Sequence, residues 1–248
     1  MAGLKYFQQF FDFYQSWDII RNTVVISLLK LLIGFPMPII LALMLNEVRK
    51  IKFKKTVQVI SYLPHFISWV VVVTILQRML TPFGGPVNEV ITSLGFESVQ
   101  ILGTIDYFYQ VILLSDIWKG VGFGAIIYLA AIAGVDQQLY ESARMDGASR
   151  FRQIWHITIP SISPVIVIMF LLACGGIMTA GYEQLLLLNT PATASIGTVL
   201  DVYVIQSGLE RGRISYATAV GLFQGFIGLI LIISANSISK KVNETSLW

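Results

Sequence analysis

Few residues of this chain have the types and spacing that chemistry requires. Its two histidines and one cysteine are too few for a metal cluster. His65, Cys174 and the acidic residues are spread over separate apolar runs, without the adjacent nucleophile and base that a hydrolase needs. The sequence also lacks a G-x-x-x-x-G-K-[ST] stretch to cradle nucleotide phosphates. We therefore predict no catalytic residue, no metal and no cofactor, and we expect His65 to act beside Pro64 at a helix kink.

The composition is typical of a polytopic membrane protein. Of the 248 residues, 55% are hydrophobic and only 12% are charged, whereas soluble domains contain roughly 25% charged residues. The net charge of +3 arises in a few loops, so we predict no nucleic-acid partner. The single cysteine permits no disulfide within the chain, and the aromatic, polar N-terminus lacks the pattern of a cleavable signal peptide.

Five apolar runs reach or exceed the roughly 20 residues needed to cross a bilayer as a helix. Helices are required because lipid cannot satisfy free backbone N–H and C=O groups. The sequence therefore predicts an all-α, polytopic membrane helix bundle with about five transmembrane helices. These spans are expected near residues 19–45, 57–79, 107–135, 162–188 and 216–238, with a kink at Pro36 and Pro38.

Lys30, Asp116 and Lys119 lie well inside these runs, away from their ends, where a charge is costly. Lys30 is expected either to line a wet cavity in the bundle or to snorkel towards the interface. Asp116 and Lys119 are about one helical turn apart, so they either neutralise each other or line the path of a solute. Trp69 and Tyr182 are candidates for stacking on a sugar ring, although packing or interfacial anchoring also explains them. These five residues are the predicted translocation path.

Residues 140–160 form a charged segment between two apolar runs. Asp146-Gly147 is a turn dipeptide, and Ser149 can cap the helix that follows it. From Phe151 onward, apolar residues recur at helical spacing until a proline ends the pattern. A short bent helix pair with an apolar face and a basic rim is suited to binding by another protein. The alternative is an ordinary amphipathic loop between two spans.

The same segment contains the motif E-S-A-x-x-D-G-A at residues 141–148, followed by Phe151 and by I-x-I-P at residues 157–160. It resembles the EAA loop of ATP-binding-cassette (ABC) importer permeases, with Ser142 in place of the first alanine and Ile159 in place of a leucine. The resemblance implies a loop that inserts into a cleft on an ATPase subunit and transmits nucleotide-driven motion to the membrane helices. The ATPase-docking residues that it implies are Glu141, Ala143, Asp146, Gly147, Ala148, Arg150, Phe151, Ile154 and Pro160.

The residues of the loop support such a role. Gly147 tolerates the left-handed backbone of a bend. Phe151 and Ile154 offer an apolar anchor of the kind that dominates interfaces. Glu141 would pair with a basic residue of the ATPase, whereas Arg150 serves either docking or membrane topology.

Weaker matches cover nearly all of the remaining chain. They include N-T at residues 22–23, Y-L-P-H-F-I-S-W at 62–69, W-K-x-x-G at 118–122 and E-T-S-L-W at 244–248. They resemble the polysaccharide or complex-sugar branch of binding-protein-dependent, type I permeases. The resemblance implies import of a sugar, and a heterodimer with a second permease subunit, two ATP-binding subunits and an extracellular solute-binding protein.

The distribution of positive charge predicts the orientation. Five Lys or Arg residues lie in residues 49–55, three in 144–152 and two at 240–241, which places these segments in the cytoplasm. The C-terminus is therefore expected on the cytoplasmic side of a bacterial cell membrane. The family usually has six transmembrane helices, so we expect this sequence to begin at an internal methionine or to be a shortened relative.

The chain divides into three predicted regions. Residues 1–18 form an amphipathic segment, either an interfacial helix or a frayed tail. Residues 19–240 form the permease domain, with a cytoplasmic coupling loop at 136–160, and residues 241–248 form a cytoplasmic tail.

Two other functions compete with sugar import by an ABC permease. A permease for a non-sugar solute would share the same architecture. A secondary transporter would need inverted repeats and ion-coupled acids within its spans. Only Asp116 and Glu183 fit the second requirement, and no clear repeat is visible.

Overall fold

The computed structural model describes residues 4–243, and within this range the regular secondary structure is helical. Four helices are long and apolar enough to cross a membrane, and one bent helix pair makes a fifth span. The prediction of an all-α bundle with about five transmembrane helices is confirmed. The five spans are Ser16–Glu47, the pair Ile51–Phe66 and Trp69–Leu80, Ile105–Ala133, Arg150–Gly175 and Ile214–Lys241.

Shorter helices lie before and between the spans. They are Lys5–Phe11, Pro86–Ser93, Gln137–Met145, Tyr182–Leu188, Ala194–Gly197 and Leu200–Ile205. The last span belongs to a helix that continues to Asn243. Residues 244–248, which carry part of the sequence resemblance and most of the predicted tail, lie outside the described residues.

The first span changes its helix type where prolines were predicted to kink it. Helix Ser16–Leu29 is followed by a π-helical turn, Lys30–Gly34, and then by helix Pro36–Glu47. Proline has no N–H and its ring crowds the carbonyl of the preceding turn. A π turn adds one residue to that turn, which accommodates the change, and such turns are frequent at functional sites.

The second span is sharply bent. Helix Ile51–Tyr62 ends in the 3₁₀ turn Leu63–Phe66, and the next helix begins at Trp69 at an angle of 105°. Ser68 caps this second helix, because its hydroxyl accepts the N–H of Val71 at 3.4 Å. The apolar run at 57–79 is therefore a bent pair, with the break just after Pro64 and His65.

The predicted fourth span is interrupted. A π turn at Ile154–Thr158 leads into helix Ile159–Gly175, and residues 176–181 are not helical before Tyr182–Leu188 begins. Gly181 has a φ of +94°, a left-handed backbone that costs a side-chain-bearing residue energy. The apolar run at 162–188 looked continuous because apolar composition alone does not reveal such a break.

The chain forms two compact units. One contains residues 4–31, 67–116 and 175–231, and the other contains residues 32–66, 117–174 and 232–243. The first unit has two clusters of buried apolar side chains, one around Ile112 and Leu185 and one around Phe10 and Leu200. The second unit has a core around Tyr128 and Ile162.

Gly122 marks a close helix contact in the second unit. A β-carbon at this position would overlap the carbonyl oxygen of Ser61, so the third span and the first half of the second span touch through their backbones. Glycine permits this close approach because it has no side chain. At Gly120 no atom lies within 4 Å of the corresponding position.

The N-terminal segment is anchored by a residue that sequence analysis did not single out. Phe10 in helix Lys5–Phe11 is buried and packs against the rings of Tyr203 and Phe223. Three other apolar side chains of the N-terminal segment, Leu4, Phe11 and Tyr14, are exposed. Its interfacial location remains a prediction.

Candidate functional site

Lys30 is the centre of a polar network in the first unit. Its Nζ donates to Asp116 Oδ1 at 3.1 Å, to Gln184 Oε1 at 2.7 Å and to the carbonyl of Ala180 at 2.9 Å. An ammonium group has three donors, so all three are used. Gln184 is buried and in turn donates to the carbonyl of Ile112 at 2.8 Å. The charge predicted to be costly in lipid is therefore satisfied by groups of two other segments.

The break at residues 176–181 is held from two sides. On one side, the Lys30 ammonium donates to the Ala180 carbonyl. On the other, the Asp201 carboxylate accepts hydrogen bonds from the N–H groups of Ala180 at 3.4 Å and Gly181 at 3.2 Å. Burial raises the pKa of Asp201, and these N–H groups together with Lys30 counteract that rise. At this helix break, the Lys30 cation therefore stabilises a backbone carbonyl, and the Asp201 carboxylate stabilises two backbone N–H groups.

A lysine also serves the break in the second unit. Lys119 Nζ donates at 2.7 Å to the carbonyl of His65, where the second span bends. The His65 ring stacks on Phe123 at a centroid distance of 4.0 Å, which supports the predicted role of His65 at a helix kink. Carbonyls at a helix end have no partner within the helix. Both predicted intramembrane lysines therefore bind a carbonyl at an interrupted helix.

The structure joins only part of the predicted translocation path. Lys30 and Asp116 form an ion pair across helices, a pairing that the sequence interpretation, which matched Asp116 with Lys119, missed. Trp69 packs against the core cluster around Ile112. Tyr182 is exposed, and its hydroxyl donates to Glu183 at 3.2 Å. Their roles in solute passage remain predictions.

The coupling-loop segment folds as its local signals predicted. Helix Gln137–Met145 is capped by Asp136, whose carboxylate accepts the N–H of Gln138 at 2.9 Å. Gly147 has a φ of +73° and ends that helix in a Schellman motif, in which the N–H of Ala148 reaches the Ala143 carbonyl at 2.8 Å. The predicted Ser149 cap is confirmed, since its hydroxyl accepts the N–H of Arg152.

The segment presents apolar side chains to its surroundings. Met145 is 89% exposed, Phe151 is 71% exposed, and Trp155 stands beside Phe151 with ring centroids 6.1 Å apart. Of the predicted docking residues, some are exposed, namely Glu141, Asp146, Gly147, Arg150, Phe151 and Pro160. Ala143, Ala148 and Ile154 are half-buried and form the inner side of the bend.

Two contacts hold this segment, one to helix Pro36–Glu47 and one between its own two ends. Arg150 forms an ion pair with Glu47 at 3.3 Å, and the hydroxyls of Tyr140 and Thr158 lie 2.9 Å apart. The bend is therefore fixed at both helices, while Met145 and Phe151 at its tip remain exposed. Such a surface is suited to a protein interface.

Five apolar spans with interrupted helices, together with a capped polar loop that exposes aromatic residues, define a multi-pass membrane protein. The family model described as "Binding-protein-dependent transport system inner membrane component" matches residues 34–244. The chain belongs to this family, and it is a transport permease subunit of a binding-protein-dependent system.

The chain is also similar to individual proteins and to a solved transporter structure. The chain is 43% identical to Protein LplB of Bacillus subtilis (strain 168), covering 100% of this chain and 78% of that protein. It is 45% identical to the polygalacturonan/rhamnogalacturonan transport system permease protein YteP of the same organism, covering 100% and 77%. A chain of a bacterial alginate ABC transporter, solved in complex with an alginate pentasaccharide-bound periplasmic protein, is 39% identical with a TM-score of 0.95, covering 100% and 88%.

Proposed function

We propose that this chain is the permease subunit of an ATP-driven importer that carries an oligosaccharide or a polysaccharide-derived sugar. The observation that carries the proposal is the bent loop at residues 136–160, whose fold is fixed by helix caps and one ion pair while Phe151 stays 71% exposed. A pre-formed apolar tip of this kind needs a partner to cover it, and we assign it to a separate ATPase subunit.

The sugar substrate is supported by the relatives. YteP is named for polygalacturonan and rhamnogalacturonan transport, and the similar solved chain belongs to an alginate importer. Several more distant relatives are named for arabinooligosaccharides, diacetylchitobiose and lactose. We therefore favour a saccharide over a non-sugar solute.

The orientation of the chain follows from its positive charges. Residues 49–55 hold five Lys or Arg residues and residues 144–152 hold three, and such segments lie in the cytoplasm. We therefore propose that the coupling loop and the C-terminal end of the fifth span lie on the side where ATP is available. The assembly that we propose contains a second permease subunit, two ATP-binding subunits and an extracellular solute-binding protein.

The proposal is tested at Gly147. A Gly147→Val variant forces a branched side chain onto a φ of +73°, although no atom within 4 Å blocks its β-carbon. The bend should therefore change its backbone while the bundle stays folded. We expect the assembled transporter to hydrolyse ATP without importing sugar, measured as ATP hydrolysis and uptake of a labelled oligosaccharide in vesicles.

Gly212→Val is the matched control. Gly212 has a φ of +66° with the same open surroundings, and it precedes the fifth span on the opposite side of the proposed topology. It should suffer the same backbone strain without loss of coupling. If Gly147→Val keeps the wild-type ratio of sugar imported to ATP hydrolysed, the docking role of the loop is wrong.

A further inference from the structure

A cavity of about 610 Å³ lies in the second unit, where the end of the first span meets the coupling loop. Its walls come from three segments that are separate in sequence, namely residues 46–49, 132–144 and 148–153. Each segment contributes one arginine, and we call the cavity the arginine pocket after these residues, Arg49, Arg144 and Arg150. The volume lies within the roughly 300–1,000 Å³ that is typical of pockets for small ligands.

The charges that line the arginine pocket favour an anion. Three arginines face one carboxylate, that of Glu47, which accepts a hydrogen bond from Arg150 at 3.3 Å. The positive charges of Arg49 and Arg144 therefore exceed what the lining itself neutralises. Arg144 Nε donates to the Tyr140 carbonyl at 3.2 Å, which uses one of the five N–H groups of its guanidinium. A concave surface with one excess sign of charge concentrates ions of the opposite sign.

The donors of the pocket suit a phosphate group better than a carboxylate. The planar fork of an arginine binds two oxygens of one anion at once. A carboxylate has two oxygens, whereas a phosphate group has three acceptor oxygens that point in different directions. Neutral donors add to the arginines, because the amides of Asn46 and Gln137 and the hydroxyl of Ser149 also line the pocket. Donors that converge from three segments can therefore each reach an oxygen of one phosphate group.

We infer that the arginine pocket binds the phosphate group of an organic phosphate. Two sources share this chemistry, the headgroup of an anionic membrane lipid and a soluble phosphate ester. The pocket adjoins the ends of the first and third spans, at Glu47 and Ala133. Basic pockets at the cytoplasmic ends of spans bind anionic lipid headgroups, and soluble phosphate esters reach the same surface. The cytoplasmic location rests on the proposed function, whereas the phosphate chemistry does not.

A bound phosphate would connect the first span to both helices of the coupling loop. Arg49 follows helix Pro36–Glu47, Arg144 belongs to helix Gln137–Met145, and Arg150 begins the helix after the bend. Met145 and Phe151 do not line the pocket. A ligand in the pocket therefore leaves the apolar tip exposed for the ATPase subunit while it holds the bend against the span. The pocket is thus a regulatory site of the coupling loop.

The test measures binding to the complete transporter in detergent, without ATP or sugar. One probe is phosphatidylglycerol, counted as bound molecules by native mass spectrometry, with the uncharged phosphatidylcholine headgroup as its control. The other probe is glycerol 3-phosphate, a soluble ester related to that headgroup, measured by calorimetry.

The test variant is Arg49→Gln/Arg144→Gln, and its matched control is Lys50→Gln/Arg152→Gln. The control removes the same number of positive charges next to the pocket, but Lys50 and Arg152 do not line it. All four side chains are exposed, so both variants should keep the Tm of wild type.

The arginine variant should bind at least one probe about ten-fold or more weakly than wild type, because charge-assisted hydrogen bonds from two guanidinium groups are lost. The control variant should stay within two-fold of wild type. Weaker binding of phosphatidylglycerol identifies a lipid as the source, and weaker binding of glycerol 3-phosphate alone identifies a soluble ester. Equal binding by the arginine and control variants, or no binding of either probe by wild type, would overturn the inference.

A conservative variant checks that the guanidinium groups act on the ligand directly. Arg49→Lys/Arg144→Lys keeps both charges without the bidentate fork, so its affinity should lie between those of wild type and the glutamine variant. Because these measurements involve neither ATP nor uptake, failure to bind leaves the proposed function untouched. Conversely, a Gly147→Val variant with normal coupling would refute the docking role of the loop but not the phosphate site.

Discussion

The Lys30 network and the coupling loop solve opposite problems. Around Lys30, the ammonium group, the Asp116 carboxylate and the Gln184 amide satisfy one another inside the chain. In the coupling loop, the backbone is fully capped but Met145 and Phe151 remain exposed. One region is therefore stabilised by contacts within its own chain, whereas the other is folded but leaves apolar side chains exposed, which we propose are covered by another chain.

The largest expected effect comes from removing the charge at the centre of the internal network. Lys30→Met leaves the Asp116 carboxylate, the Gln184 amide oxygen and the Ala180 carbonyl without their donor. We expect the free energy of unfolding to fall by about 2–3 kcal/mol. This is less than for a fully buried ion pair because the Asp116 side chain is 36% exposed. Thermal unfolding in detergent measures it.

The double variant Lys30→Met/Asp116→Leu tests whether the instability of Lys30→Met comes from the unpaired Asp116 carboxylate. Replacing both charges removes the orphaned carboxylate, so the double variant should regain stability relative to Lys30→Met. Lys5→Met, at an exposed position in the N-terminal helix, is the control and should stay near wild type. A double variant less stable than Lys30→Met would show that the ion pair is not what the network protects.

The next largest effect is expected in the coupling loop, where a substitution should weaken binding to the ATPase subunit rather than destabilise the fold. Phe151→Ser removes an exposed ring, so the thermal stability of the isolated chain should change little. Its affinity for the ATPase subunit should fall by about ten-fold or more if the ring fills a pocket. Quantitative co-purification at graded ATPase concentrations checks this, and an unaltered affinity would remove Phe151 from the interface.

A smaller effect is expected at Asp201, beside the break. Because the pKa of Asp201 is raised in the folded chain, its carboxyl binds a proton at pH values above 3.8, where the same carboxyl in the unfolded chain is still ionised. The stability contribution of Asp201 therefore increases as the pH falls through this window. The Tm of wild type minus that of Asp201→Asn should grow towards low pH, and a difference that shrinks would contradict the assigned cause.

The smallest effect separates two roles of Arg150. Its ion pair with Glu47 is largely exposed, so Arg150→Ala and Glu47→Ala should each cost only about 0.5 kcal/mol in stability. If Arg150 also docks the ATPase, its loss should weaken ATPase binding more than the loss of Glu47 does. Equal effects of the two substitutions on binding would leave Arg150 with the ion pair and membrane topology alone.

Sequence reasoning succeeded where structure is local. Apolar runs of sufficient length predicted the spans, and Asp146-Gly147 with Ser149 predicted the bend and cap, because these features depend on neighbouring residues. It failed where partners lie far apart along the chain. Lys30 and Asp116 are 86 residues apart, and only helix packing shows that they meet.

Two members of the polar network were missed for different reasons. Gln184 is a polar residue within an apolar stretch, and its position next to Leu185 was a usable signal for a buried partner. Asp201 lies in a segment that looked like a polar loop, so nothing local distinguished it from a solvated acid. Asp201 is half-buried because its neighbours in helix Leu200–Ile205, Leu200 and Tyr203, pack in the core.

The backbone contact at Gly122 has a mechanical consequence. Side chains that interlock must exchange places before two helices can slide past each other, which resists small displacements. Where Gly122 meets the Ser61 carbonyl, no side chain of the third span lies between the two backbones. We therefore expect the two helices to slide along each other at this crossing with little repacking of side chains.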